Sequence, residues 1–398
     1  MTVPSTSRRA ALTLAAGAAF AFGPAAPAAF PAPQRTRPAM SPRFAYVGCY
    51  TTAQRGGNGK GIAVFRVDGP GRWQQVDVTD TLPNPSFLTL DHTQSFLYAV
   101  HGDFDQVSAY AVNHRTGRLT PLGTQSSNGT NPVHLALTPD NRRLLVANYA
   151  TGTLAVLPRT ADGRLQPAEQ IIELTGTPGP DRTQQTGPHP HHIPFASDQR
   201  HVLVPDKGTD RIHHFTYDTA AGRLSPATPA TTTVRSGAGP RHIAYHPHLP
   251  LAYVVDELNS QVTTYSYDPH TGALASRSWL PTLAPTYTGD NTAAGIQLTP
   301  DARFLFVSNR GHDTIATYAV RDDGTLHTPR WTATGGRQPR FFTTDPAGST
   351  LYAANQATDT ITAFHITQEG DLQPTGRTVA TGSPVCMVFS TEDRHRGS

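Results

Sequence analysis

Short apolar stretches alternate with turn-forming residues along this chain, and the alternation repeats about every 50 residues. In each unit a Pro, or a small residue in its place, opens an apolar strand. A turn follows, then a second strand of the form Leu/Phe/Tyr-x-Val-x-Asn/Asp. Clear copies are Asn131 to Leu137 with Leu144 to Tyr149, Gly239 to Tyr245 with Ala252 to Glu257, and Gln338 to Thr344 with Leu351 to Gln356. Asn84 to Leu90 with Phe96 to Val100 is a fourth. A third strand with a period of two comes next, as in Gln261 to Tyr267 and Thr314 to Val320. It ends in an x-x-Gly-x-Leu turn, such as Thr116-Gly-Arg-Leu119, where Gly supplies positive φ before a shorter fourth strand. Four strands per unit at this period predict the blades of a β-propeller.

First strands open near residues 85, 132, 190, 240, 293, 339 and 384, which makes seven. The last of them, Ser383 to Phe389, has no strand after it to pair with. The first Val-x-x-type strand, Phe44 to Tyr50, has none before it. Both gaps close if the C-terminal strand joins the N-terminal blade, which also removes the free edges of an open ring. The expected fold is all-β, a seven-bladed β-propeller closed in that way. The same alignment matches Cys386 to His134 and Cys49 to Asn148. It predicts that the two cysteines are cross-strand neighbours, either in a ring-locking disulfide or as two buried thiols.

Composition refines this picture. The 398 residues include 34 Gly and 35 Pro and are only 15% charged, which suits a turn-rich β fold once the strand alternation is seen. A net charge of +3 with no basic stripe is too small to imply a nucleic-acid or membrane partner, and no nucleic-acid partner is expected. Residues 1–40 read as a signal and linker. Arg8-Arg9 precedes an apolar run from Ala10 to Phe22, then an Ala/Pro stretch with options such as Ala26-Pro27-Ala28. The paired arginines are twin-arginine-like, so the mature protein is expected to be secreted or extracytoplasmic. It is expected to be monomeric and not inserted in the membrane after signal removal. Residues 41–392 form the propeller, and residues 393–398 are expected to be a disordered tail.

Repetition also exposes a candidate site. First strands start, and second strands end, at one rim of the channel mouth. The residue after each first-strand Pro runs Ser86, Val133, His191, Arg241, Ala294, Arg340, Val385. The residue after each second-strand Asn/Asp runs Tyr50, Gly102, Tyr149, Lys207, Glu257, Arg310, Gln356. The Asn/Asp itself recurs at Asn148, Asp206, Asp256, Asn309 and Asn355 and is expected to cap a bend in every blade. His134 and His242 read as satisfied core groups, His213 and His214 as surface groups. Gly56-Gly-Asn-Gly-Lys-Gly61 has the composition of a phosphate loop but no following helix, so it reads as a hairpin loop. The His189-Pro-His191-His192 run lacks Cys or acidic partners at metal-ligand spacing, so no metal is expected.

At these positions the chain resembles the seven-bladed propeller lactonases, a family that includes 6-phosphogluconolactonases and carboxy-cis,cis-muconate lactonizing enzymes. The matching phrases include Tyr46-Val-Gly-Cys-Tyr-Thr51, Pro188-His-Pro-His191, Gly239-Pro-Arg-His242, Val255-Asp-Glu-Leu258 and Val307-Ser-Asn-Arg-Gly311. The resemblance implies a cofactor-independent site with His189, His191, Arg241, Glu257 and Arg310 as catalytic residues. Tyr149, Lys207, Arg340 and Gln356 are expected to bind the substrate, a small-molecule lactone or other anionic compound. The chain departs from the family at Lys207, where Leu is usual, and at Gly295, where Glu is often found. The expected activity is lactone hydrolysis. A lactonizing cycloisomerase and a non-catalytic ligand-binding propeller are the alternatives. Fixed arginines would hold a developing oxyanion, with His or Glu as general base. Arginines beside Glu257 would lower its pKa and weaken it as a base. No Gly-x-Ser-x-Gly elbow supports a serine nucleophile.

Overall fold

The second strand of each unit is apolar on both faces, so it must be sandwiched, and a ring of blades does this. The computed structural model describes residues 42–391; the expected signal segment and the C-terminal tail lie outside the described residues. These residues form 27 strands and two single 3-10 turns, with no α-helix among them. The strands make seven antiparallel sheets, six of four strands and one of three. In blade 1 the C-terminal strand Pro384–Thr391 pairs with Pro42–Cys49, closing the ring as expected. Blade 4 is the three-stranded one. Its innermost position is irregular and meets its neighbour at isolated bridges, Pro190 with Asp206 and Phe195 with Val202, in place of a regular strand.

Seven apolar clusters fill the wedges between adjacent blades, one per interface. For example, Tyr98, Val107, Leu135 and Val146 join blades 2 and 3, while Tyr253, Val262, Leu305 and Val307 join blades 5 and 6. Each is a face-packed β core of the kind that period-two alternation predicts.

The rim is built by one repeated device. In five blades the residue before the opening Pro takes left-handed backbone, at Asn84, Asn131, Gly239, Gln338 and Ser383. Its carbonyl accepts a hydrogen bond from the residue that follows the second strand: Gly102, Tyr149, Glu257, Gln356 and Tyr50 respectively. The residue after the Pro is then skipped by the ladder. The register shifts between Pro85 and Phe87, Pro132 and His134, Pro240 and His242, and Pro339 and Phe341. A β-bulge re-aims the extra side chain. This is why Arg241 and Arg340 sit at the channel mouth and not in a blade interface.

The same bulge corrects the expectation for the cysteines. Cys386 lies opposite Gly48, and Cys49 lies opposite Pro384, with Val385 bulged between them. A one-residue offset sends the side chains to opposite faces of the sheet. Cys386 therefore packs into the wedge toward blade 2 and Cys49 into the wedge toward blade 7. Both are free, buried thiols, and burial pushes the Cys49 thiol up to about 12. His213 and His214 are likewise buried and not on the surface, and His213 Nε2 lies 3.1 Å from Asp206 Oδ2.

The recurrent Asn is a structural cap. Asn148, Asn309 and Asn355 donate from Nδ2 to the carbonyls of Ser127, Thr282 and Thr334. In blade 5 the position is Asp256. It is fully buried, Oδ1 has no partner among the described residues, and desolvation raises its pKa from 3.8 to about 7. A carboxyl raised in the fold contributes stability that is complete below its unfolded pKa and is lost as pH rises through the folded value. Asp256→Asn is therefore expected to raise stability at pH 8 by roughly 2–4 kcal/mol, with the gain shrinking toward pH 4. Melting curves of both proteins across that range check it; a gain independent of pH would contradict the assignment.

Candidate active site

A polar cavity of about 220 Å³ opens at the mouth of the channel. Tyr149, His191, Lys207, Glu257, Arg310 and Arg340 line it, all from the two rim positions singled out above. Another cavity of about 230 Å³, beside Leu82, Tyr110 and Pro121, lacks such converging charges.

Glu257 is the hub. Its Oε1 accepts from Lys207 Nζ at 2.8 Å. Its Oε2 lies 2.9 Å from Arg241 Nε and 3.2 Å from Arg310 Nη2. The Arg241 contact is an ion pair lying off the hydrogen-bond line, so that N–H remains unspent. All four side chains are largely buried. Burial pushes the Glu257 carboxyl up, but Arg310, Lys207 and Arg241 together hold it well below the usual carboxylate range. Glu257 is thus a permanent anion that gathers three cations.

Each cation is also fixed by the scaffold. Arg241 Nη1 donates to the Ala294 carbonyl at 2.7 Å and lies 3.2 Å from His242 Nε2. Arg310 Nη2 lies 3.2 Å from the Ala293 carbonyl, and its buried Nε has no partner among the described residues. Arg241 is not among the residues that line the cavity, but it meets the same Glu257 oxygen as Arg310. Arg340 has no acidic partner among the described residues and lies 5.6 Å over the Tyr50 ring.

The histidines separate into distinct roles. His191 borders the cavity, and its Nδ1 is buried without a partner among the described residues. Burial, then the Arg241 charge, hold it well below the usual imidazole pKa, so it is neutral at physiological pH. His189 does not line the cavity. Its ring stacks on Tyr149 at 4.5 Å, Nδ1 sits 2.8 Å from the Tyr149 carbonyl, and Nε2 sits 3.0 Å from Thr186 Oγ1. With both nitrogens engaged, His189 buttresses Tyr149. Next to His191 lie the rings of His134, which is buried, and of His192 and His242, which are half-buried, in one aromatic cluster that forms the floor. The His192 and His242 rings stack at 4.4 Å, and His134 meets His192 edge-on at 4.2 Å. The Ile193 and Ile243 backbone N–H groups donate to His134 and His192 Nδ1, and burial keeps the floor neutral.

Gln356 also falls outside the lining residues; its backbone N–H serves the rim bond to Gln338. Five further lining residues are Tyr50, Asn131, Val133, Arg55 and Gln184. Tyr50 shares the rim position of Tyr149, so the repeat contained its signal. Arg55 comes from the 3-10 turn Ala53–Arg55 in the blade 1 hairpin loop, where it pairs with Asp103. Gln184 comes from the long loop before Pro190. Neither belongs to the repeat, which is why it did not point to them. Among the described residues no cluster of three or more His, Cys, Asp or Glu side chains could hold a metal ion, and no helix is long and apolar enough to cross a membrane.

With this geometry in place, comparison with known proteins is informative. The sequence profile described as "Lactonase, 7-bladed beta-propeller" matches residues 44–389. A 6-phosphogluconolactonase of Bacillus subtilis is 32% identical over 355 residues, covering 88% of this chain and 99% of its own. A 6-phosphogluconolactonase of Cronobacter sakazakii is 32% identical over 289 residues, covering 72% of this chain and 82% of its own. The solved structure of the Pseudomonas aeruginosa periplasmic gluconolactonase superposes with a TM-score of 0.80 at 31% identity. It covers 87% of this chain and 98% of that one.

Proposed function

Because the chain belongs to the lactonase family of seven-bladed β-propellers, we propose that it is a lactone hydrolase that opens a sugar- or acid-type lactone carrying an anionic group. One observation carries this reading. A neutral His191 and an Arg340 without an acidic partner among the described residues face one cavity, whose carboxylate is already spent on three cations.

The steps follow from the residues. Arg340 takes the anionic arm of the substrate, since the guanidinium fork fits carboxylate and phosphate. The lactone carbonyl points toward the guanidinium of Arg310, which lines the cavity. Water attacks the carbonyl carbon and gives its proton to His191. The carbonyl electrons move to oxygen, and Arg310, backed by Arg241, stabilises that oxyanion. The oxyanion then collapses, the ring C–O bond breaks, and protonated His191 returns the proton to the departing alkoxide. The product is a hydroxy acid, and no cofactor takes part. Glu257 keeps Arg310 and Arg241 aimed and takes no proton.

Names of relatives support 6-phosphogluconolactone and gluconolactone as first substrates to test. The twin-arginine-like start and the periplasmic relative support an extracytoplasmic site of action, which cell fractionation reads directly. The activity test is a pH-stat assay on 6-phosphoglucono-δ-lactone, glucono-δ-lactone and a muconolactone. Ring opening of at least one is expected. If none is opened while a lactone raises the melting temperature, the protein is a binding propeller and the reading fails. Arg340→Gln is expected to raise KM for the phosphorylated lactone by roughly 10–100-fold, the cost of a lost charge-assisted hydrogen bond. The neutral lactone should change far less; equal effects on both would remove Arg340 from anion binding.

A further inference from the structure

Blade 4 differs from the others where its inner strand would begin. The segment from Thr175 to Pro190 forms a loop over the cavity in its place. A buried glutamine fastens it. Gln185 Nε2 donates to the Lys207 carbonyl at 2.9 Å and to Asp210 Oδ1 at 2.8 Å, and its Oε1 accepts from the Asp181 N–H at 3.1 Å. Asp181 Oδ1 in turn accepts from the backbone N–H groups of Thr183 and Gln184. The Gly179 N–H donates to the Gly208 carbonyl at 2.9 Å. So tied down, the loop presents Gln184, an exposed residue, to the cavity.

Lys207 Nζ donates to Gln184 Oε1 at 2.7 Å and to Glu257 Oε1 at 2.8 Å, and it lies 5.7 Å over the Tyr149 ring. The first bond fixes the amide: its oxygen faces Lys207, so its NH2 group faces away from Lys207. Both amide N–H bonds and the third N–H of Lys207 are without partners among the described residues. Glu257 and Gln184 hold Lys207 in place and leave its remaining N–H for a ligand. This wall offers hydrogen-bond donors beside an aromatic ring that His189 holds rigid. Donors beside an aromatic face match a sugar ring, with hydroxyl oxygens on one side and C–H groups on the other.

We propose that Gln184 and Lys207 form a hydroxyl-recognition wall, which selects a polyhydroxylated lactone over a plain one. The inference rests on the lactone-hydrolase reading and deepens it. The experiment compares kcat/KM of the full chain for D-glucono-δ-lactone and δ-valerolactone. Neither carries an anionic arm, so the Arg340 contribution cancels. Gln184→Ala and Lys207→Met are each expected to lower the gluconolactone-to-valerolactone ratio by about tenfold, as loss of a substrate hydroxyl's partner does. Melting curves report folding of Lys207→Met. Gln184→Ala alters only an exposed loop side chain and keeps the test decisive if Lys207→Met does not fold. A wild-type protein that opens both lactones, with a ratio that stays within about twofold in Gln184→Ala, overturns the wall but not the hydrolase. A wild-type protein that opens no lactone of either test sinks the hydrolase reading and the wall with it.

Discussion

Glu257→Gln is expected to lose stability and turnover together. Three cations converge on this carboxylate in a cluster largely withdrawn from water. Removing one partner from a buried ion cluster leaves charge uncompensated, which typically costs about 3–5 kcal/mol. At the size of this domain that lowers Tm by roughly 4–7 °C. The pH dependence gives a second signature. The folded Glu257 pKa is depressed below 4.5 by Arg310, Lys207 and Arg241. A depressed carboxyl contributes stability that is present above its unfolded pKa and is lost as pH falls through the folded one. The wild-type advantage over Glu257→Gln should therefore be full at neutral pH and narrow on acidification below about pH 4. For catalysis, the freed Arg310 and Arg241 no longer share one aim, and kcat should fall by about 10²–10³, the cost of losing an oxyanion donor. Thermal melts from pH 3 to 8 and lactone kinetics at neutral pH measure both. A variant with unchanged Tm and full turnover would show that the cluster neither holds the mouth together nor serves the reaction.

Much of this site was legible in the sequence, because the scaffold is periodic and the chemistry is not. Arg241 and Arg340 stand where Ser86 and Val133 stand in other blades. A propeller needs no arginine there, and the bulge that follows each Pro turns that one residue outward. Glu257, Arg310 and Lys207 follow the second strand for the same reason. The errors have the same origin. Alignment alone treats Cys49 and Cys386 as facing positions, but the bulge at Val385 shifts the register by one, and one residue is the difference between two faces of a sheet. His189 and His191 are equally conspicuous in the sequence, yet Pro190 between them belongs to the bridge with Asp206. One histidine turns to the cavity and the other under Tyr149. Gln184 and Arg55 could not be found from repetition, since loops carry no period. Only their anchors, Gln185 on Asp210 and Arg55 on Asp103, bring them to the mouth. Asp256 was legible as a cap and illegible as an outlier. Its difference from Asn148 and Asn309 is chemical: they donate an amide N–H to a neighbouring carbonyl, and a buried carboxylate has none to give.

His191→Gln is expected to abolish most turnover while leaving the fold and the substrate affinity nearly intact. Of the three candidate bases, Glu257 has both carboxylate oxygens occupied by cations, Lys207 on one and Arg241 and Arg310 on the other. His189 has both ring nitrogens engaged, with the Tyr149 carbonyl and Thr186. His191 alone of the three combines a neutral ring, an unpartnered Nδ1 and a place on the cavity wall. Loss of a positioned general base costs about 10²–10⁴ in rate, and this should appear in kcat, with KM moving only a few-fold. Gln retains hydrogen-bonding capacity and much of the volume, so melting should shift little. His189→Gln removes only the support behind Tyr149 and should cost about tenfold or less, chiefly in KM. Because burial and Arg241 keep the His191 pKa well below 6.5, the wild-type kcat profile should be flat from pH 6 to 8, with no histidine limb in that window. A profile that falls below an apparent pKa near 6.5 would show His191 exchanging protons with bulk water. A His189→Gln variant slower than His191→Gln would move the base to the other side of Pro190 and undo the proton path from water to leaving group.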